Sequence, residues 1–365
     1  MRTPRRLRTN ADFLIIGGGM AGISALAEAR RLGIDAICLE AHTKPGGRVR
    51  TVRNRRMANY PIELGPEFVH GSLMKNLCES LGLTLIKHPS DGTAFLDKAF
   101  LPLLPILQAF KSIRERAAAH LASGKEDSSV EKFLASLELG DRDLPPGVTS
   151  HLLLQLIRND FASRISDLGL TGLLAPDVDG YEDNYRITEG YDEVPRRLAV
   201  GSDVRCNHVA SAILRHRDRV DVVTNRGVYS GNVAVVCLPV GVLQAGDVQF
   251  DPPLSRDKGV AIDSINAGTA TKLVFCFRRN KRGTTFWPSN LPLLATSLAT
   301  QLWWPTGWGY DDKRQFLASC LVGGAAVNRF AERDPRQVGL AQLGHMFGWE
   351  RVEKNALSPY YVKST

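Results

Sequence analysis

Gly17, Gly19 and Gly22 stand at the spacing GxGxxG directly behind a short apolar run at 12–16. In such a turn the first glycine permits the tight bend and the second lets a pyrophosphate approach the backbone. The third lets helix and strand pack closely, and the phosphate rests on the helix N-terminus. Glu40 ends the next apolar run, 34–39, where a carboxylate can accept hydrogen bonds from both ribose hydroxyls and disfavours a 2′-phosphate. A second candidate is Lys272, inside the alternating stretch GTATKLVFCF. Leu273, Phe275 and Phe277 share one face there, and Ala270, Val274 and Cys276 share the lysine's face. A charge in a strand covered on both sides needs a partner or gives up its proton, unless Lys272 lies at the strand's exposed start.

The elements that must position these groups are readable around them. Residues 12–16 have the composition of a parallel strand covered on both faces, residues 20–32 form a helix, and 34–39 a second strand. Ala21, Ala25 and Ala29 recur every four residues as a small-residue stripe, Ala21 also lying within the cofactor turn, and Gly33 ends the helix. This strand-turn-helix-strand unit is the dinucleotide-binding pattern. Behind it a second turn, Gly46-Gly47-Arg48, brings backbone near a ligand, with a cation beside its phosphates.

Leu39-Glu40-Ala41 followed by Gly46-Gly47-Arg48 resembles the signature of the flavin-dependent amine oxidases. That family includes polyamine, monoamine and L-amino-acid oxidases and the flavin histone demethylases. Further blocks resemble it in order: IELGPEFVHG at 62–71, RITEGYDEVPRRLAV at 186–200, 239–243, 250–254, the Lys272 strand, 286–288 and 316–324. The resemblance implies FAD as cofactor, contacted by Gly17, Gly19, Ala21, Gly22, Glu40, Gly47 and Arg48. It further implies that Gly65 to Phe68 meet the flavin ring through their backbone and that the backbone of Val209 bonds the adenine. It places Lys272 near the reactive flavin nitrogen through a water and His70 on the substrate side of the ring. On its own residues His70 reads as a loop histidine bonded to a carbonyl.

The fold class implied is α/β: a Rossmann-like FAD-binding domain from residues 1–88 and 186–258, and an α+β substrate domain from 89–185 and 259–365. The latter is a mixed sheet with a helical insertion. The expected partners are a small-molecule amine and molecular oxygen. The family's C-terminal FAD-binding segment, with its Gly-Glu-x-Thr turn, is expected to follow Ser358-Pro359-Tyr360-Tyr361 but is absent from the sequence. Two expectations follow: a second polypeptide completes the site, or the chain is a truncated product with little activity. An exposed apolar patch would mark the gap.

Composition bounds the rest. The 365 residues are 44% hydrophobic and 23% charged, ordinary for a globular chain of two domains. No apolar run approaches the roughly 18 residues of a membrane span, so no membrane association is expected. The first ten residues, with four arginines and no cleavage pattern, read as a basic tail, which makes the cytoplasm the default location. The net charge of +8 is scattered apart from 53–56 and 278–282, and no nucleic-acid fold signature accompanies it, so solvated surface is the better account. The six cysteines form no CxxC pair and read as reduced, buried thiols, and no residue is assigned to a metal.

Other elements are expected as follows. Leu73, Leu77 and Leu81 mark a helix face ended by Gly82. Ile106, Phe110, Ile113 and Ala117 form a helical stripe, and a capping box runs from Ser128 to Glu131. A further helix covers 151–161, an acidic loop 177–183, a strand meander 204–239 with a buried parallel strand at 234–238, and a helix 337–347. Trp303, Trp304, Trp308 and Tyr310 read as an aromatic loop. The functional expectation is amine oxidation by hydride transfer to FAD. The rivals are a related flavin desaturase acting on a carotenoid or porphyrinogen, and a partner-dependent subunit without activity of its own.

Overall fold

The computed structural model describes residues 8–89, 91–96, 98–137, 161–175, 184–310, 312, 315–323, 327 and 333–364. The expected helix at 151–160, the acidic loop at 177–183 and most of the basic tail lie outside the described residues. The chain separates into two compact units, one from residues 1–50 and 191–267 and the other from 51–190 and 268–365.

The first unit is built on a seven-stranded sheet. Its order is Asp203–Arg205, Ala36–Leu39, Asn10–Ile16, Gly227–Val236, Val220–Thr224, Ala210–Arg215 and Gln249–Asp251. The first four strands run parallel, and the next two join by antiparallel pairing. Asn10–Ile16 is thus central, and Leu14, Ile15 and Ile16 are buried, as an unbroken apolar run requires. The strand expected at 234–238 is the end of Gly227–Val236 and is parallel as read. However, Val233 and Val236 stay exposed, so the elements of this unit do not cover it fully.

Helix Met20–Arg31 follows the glycine turn and buries Gly22, Ile23, Leu26 and Ala29. Ala21, expected on the buried stripe, is exposed instead. A strict four-residue spacing drifts around a 3.6-residue helix, and the buried face follows the mixed three- and four-residue steps. The helix ends as expected: Gly33 takes φ +71°, its N–H donates to Arg30 O at 3.1 Å, and Ile34 N–H donates to Ala29 O at 2.9 Å. These two bonds satisfy carbonyls that the last turn would leave unpaired.

The second unit holds another seven-stranded sheet, ordered Ala356–Ser364, Ala270–Arg278, Gln315–Gly323, Leu302–Pro305, Leu294–Thr296, Thr93–Leu96 and Ala99–Pro102. Only the pair Leu294–Thr296 with Thr93–Leu96 is parallel. Leu273, Phe275 and Phe277 pack with Trp303, Phe286 and Leu343 on one face, while Val274 and Cys276 meet Met57, Tyr60 and Ile62 on the other. A three-stranded sheet pairs Val69–His70 and Leu85–His88 with Asn184–Ile187.

Helix Leu104–Ala122 buries Ile106, Ile113 and Ala117 as the stripe predicts. Three local readings shift. The cap of Val130–Ser136 is Ser129, whose hydroxyl accepts from Lys132 N–H, and not Ser128. Leu73, in helix Gly71–Ser80, is exposed, and Cys78 is the buried residue. Trp303 and Trp304 are not in a loop but in strand Leu302–Pro305, with both rings buried. No helix among the described residues is long and apolar enough to cross a membrane.

Candidate functional site

In the first unit the two glycine turns meet. Gly17 bends with φ +101°, and a Cβ placed on it would come within 2.7 Å of Cys237 O. A Cβ on Gly22 would lie 1.9 Å from Gly17 O, so only glycine lets the helix start so close to the turn. Around Gly19, in contrast, a Cβ would meet nothing within 4 Å. Gly46 N–H donates to Gly18 O at 2.8 Å, and Gly46 and Gly47 take φ +120° and +59°. Helix Met20–Arg31 begins at Gly19 with no side-chain cap and no acid in its first turn. Open space, uncapped first-turn amides and a positive helix end fit a pyrophosphate.

Glu40 is buried beside that turn. One carboxylate oxygen accepts from Gly18 N–H at 2.6 Å and the other from His42 N–H at 2.8 Å. A carboxylate has about four lone-pair sites, so two remain for ribose hydroxyls, and the backbone bonds fix their direction. Val209 is exposed, and its N–H donates to Asn225 Oδ1 at 2.9 Å while its carbonyl accepts from Asn225 N–H at 3.1 Å. Asn225 thus occupies the single N–H of Val209, and of the backbone expected to meet an adenine only the carbonyl keeps a free lone pair. Arg48 is exposed on the second turn.

In the second unit Lys272 is 6% exposed, well inside its strand and not at an open start. Its Nζ donates to Glu67 Oε2 at 2.6 Å and to Gly65 O at 3.3 Å, and stands 5.2 Å from the centre of the Trp304 ring. Trp304 Nε1–H donates to the same Glu67 oxygen at 2.9 Å. The other oxygen of Glu67 lies 3.0 Å from Arg186 Nη2, and Arg186 in turn donates to Pro305 O at 2.8 Å and to Thr306 O. Burial pushes the Glu67 carboxyl up, but Lys272 and Arg186 outweigh it, and the group stays below its ordinary 4.5.

Phe68 joins this cluster to both histidines nearby. Arg186 stands over its ring at 5.0 Å, His88 meets it edge-on at 4.9 Å, and His70 lies 6.1 Å away. His70 is exposed at the start of helix Gly71–Ser80, with Nδ1 2.6 Å from Asn184 Oδ1. A side-chain amide thus orients it. His88 is buried with Nδ1 2.9 Å from Pro89 O, and burial together with Arg186 holds it down at about 4, hence neutral. Next to this region Tyr60, Trp287, Trp308 and Tyr310 line a cleft of about 530 Å³, with Tyr60 stacked on Tyr310 at 4.7 Å.

Sequence reading brings out Gly65, Phe68 and Lys272, and the structure places all three together. Glu67, Arg186 and His88 escape it. The signal for Glu67 is the partner that a buried Lys272 demands, with an acid between Pro66 and Phe68 in the flavin block. Arg186 opens the family-like block at 186–200, and His88 carries no signal beyond its place in a strand-like run.

A family model for flavin-containing amine oxidoreductases matches residues 20–364. The chain belongs to that family. With the dinucleotide-binding turn of the first unit, its flavin is FAD. The chain is similar to Polyamine oxidase 3 of Oryza sativa subsp. japonica, 28% identical over 313 residues, which cover 78% of this chain and 62% of that protein. It is similar to Lysine-specific histone demethylase 1B of Mus musculus, 25% identical over 369 residues, 90% of this chain and 42% of the other. The chain therefore spans 62% or less of the length of these relatives. In fold it resembles cyclohexylamine oxidase from Brevibacterium oxydans IH-35A, with TM-score 0.78 and 17% identity, and putrescine oxidase bound to putrescine, with 0.76 and 15%. Each covers 97% of this chain and 84% of the solved one.

Proposed function

We propose that this chain oxidises an amine, whether polyamine, monoamine or amino acid, to the imine, with oxygen as the final acceptor. The observation that carries this reading is Lys272, a buried lysine held by Glu67 and Gly65 beneath the Trp304 ring, in the strand where the family resemblance expects it. When bound, FAD supplies the chemistry by accepting a hydride from the carbon next to the amine nitrogen.

The chain's own residues bind and orient. The open space at Gly19 admits the pyrophosphate, Gly17, Ala21, Gly22 and Gly47 form the close-packed turns and helix start around it, Arg48 adds a cation beside it, and Glu40 takes the ribose hydroxyls. Val209 lies at the adenine. Gly65 and Phe68 present backbone to the flavin ring, and Lys272 positions a water at it. His70, held by Asn184, orients the amine. The rings of Phe68 and Trp304 exclude water, which strengthens every charge interaction inside.

The test is to mix the flavin-loaded protein anaerobically with a panel of amines and follow the loss of oxidised flavin absorbance. Bleaching by amines, slowed at least a hundredfold in Lys272→Met with FAD retained, is the expected result. Bleaching only by apolar polyenes or porphyrinogens would sink the reading in favour of a desaturase.

A further inference from the structure

Lys272 and Arg186 share one carboxylate. Both side chains are buried, and among the described residues Glu67 is the one acid paired with them, which leaves one positive charge in excess within the cluster. An ammonium has three N–H donors. Two of those on Lys272 go to Glu67 Oε2 and Gly65 O, and among the described residues the third has no acceptor.

The carboxylate itself does not depend on the lysine for its orientation. Arg186 holds one oxygen and Trp304 Nε1–H the other, and Arg186 is anchored on two backbone carbonyls of the strand end at Pro305 and Thr306. A buried excess charge is expensive unless an electron-rich atom meets it. We propose that Glu67 is a positioning residue for the reaction: its carboxylate fixes the Lys272 side chain so that the third N–H is aimed at the water next to the flavin. Lys272 then acts as a fixed donor. This inference rests on the reading that Lys272 faces the flavin.

Replacing Glu67 by glutamine preserves shape but removes the charge-assisted bond that holds the Lys272 ammonium in place, so its remaining N–H is no longer aimed. The probe is sulfite, which adds its lone pair to oxidised flavin and leaves negative charge on the ring, a state that a well-placed neighbouring cation favours. In the holoenzyme, Glu67→Gln is expected to weaken sulfite binding at least tenfold.

Sulfite affinity unchanged in Glu67→Gln, but altered in Lys272→Met, would overturn the role of Glu67 alone. If Lys272→Met also leaves sulfite affinity unchanged, the placement of Lys272 at the flavin fails. Where Glu67→Gln does not fold, Glu67→Asp serves. It keeps the charge but withdraws it by one methylene, and is expected to lower kcat, whereas wild-type kcat would count against positioning.

Discussion

Arg186 Nη2 lies 3.0 Å from Glu67 Oε1, with the two side chains 3% and 5% exposed. Lys272 binds the other oxygen of that carboxylate, so removing the acid strands two buried cations, and stranding even one member of such a pair costs about 3–5 kcal/mol. Glu67→Met is therefore expected to lower the unfolding free energy by at least about that amount in urea titration. A change below about 1 kcal/mol, the size measured for exposed pairs, would show that water reaches the pair in solution.

His88 gives the fold an acid sensitivity of its own. Its imidazole is held down to about 4 from 6.5, first by burial and then by Arg186. Because the folded value is depressed, the native state binds fewer protons than the unfolded chain between those values, and stability rises with pH across that window. The contribution is full above 6.5 and lost as pH falls toward 4, about 3 kcal/mol in all. Glu67 adds to the same trend further down, since its contribution is present above 4.5 and lost as pH falls through its lower folded value. His88→Gln is expected to flatten the fall in Tm between pH 6.5 and 4.5, and an undiminished fall would place the sensitivity elsewhere.

The two glycines at the ends of the first turn and helix separate cofactor binding from folding. Gly22→Ala sets a methyl against Gly17 O at 1.9 Å, in backbone that cannot yield without opening the turn. The protein is expected to purify nearly free of flavin, as read from its visible absorbance. Gly33 also has positive φ, +71°, but nothing lies within 4 Å of a Cβ there. Asparagine tolerates that conformation, so Gly33→Asn is expected to keep its flavin. Equal flavin content in the two variants would refute the steric argument.

What the sequence shows of this site is what the chain does locally. The turn at Gly17 to Gly22 and the acid at Glu40 are readable because spacing along one unit dictates them. Lys272 is readable because strict alternation puts a charge on an apolar face. Its partners are not, since Glu67 is 205 residues away and only the fold brings it near. The helix faces fail for a geometric reason: Ala21 and Leu73 fall on four-residue spacings that turn away from the sheet. Trp303 and Trp304 mislead through their neighbours, because Pro305, Gly307 and Gly309 suggest a loop just where the strand stops. Once in the strand, the two rings must diverge, Trp303 into the apolar cluster and Trp304 toward Lys272.

The parallel pairing of Asn10–Ile16 with Gly227–Val236 also sets a timetable for synthesis. The dinucleotide turn is made well before its partners, and Asn10 finds its neighbour Ser230, and Gly17 its close contact Cys237, only when all the intervening chain has been made. At roughly 5–20 residues per second, that wait is on the order of ten seconds or more. Through that interval an apolar strand has one side unpaired, and the nascent chain must be kept from aggregating before any cofactor can help to hold it.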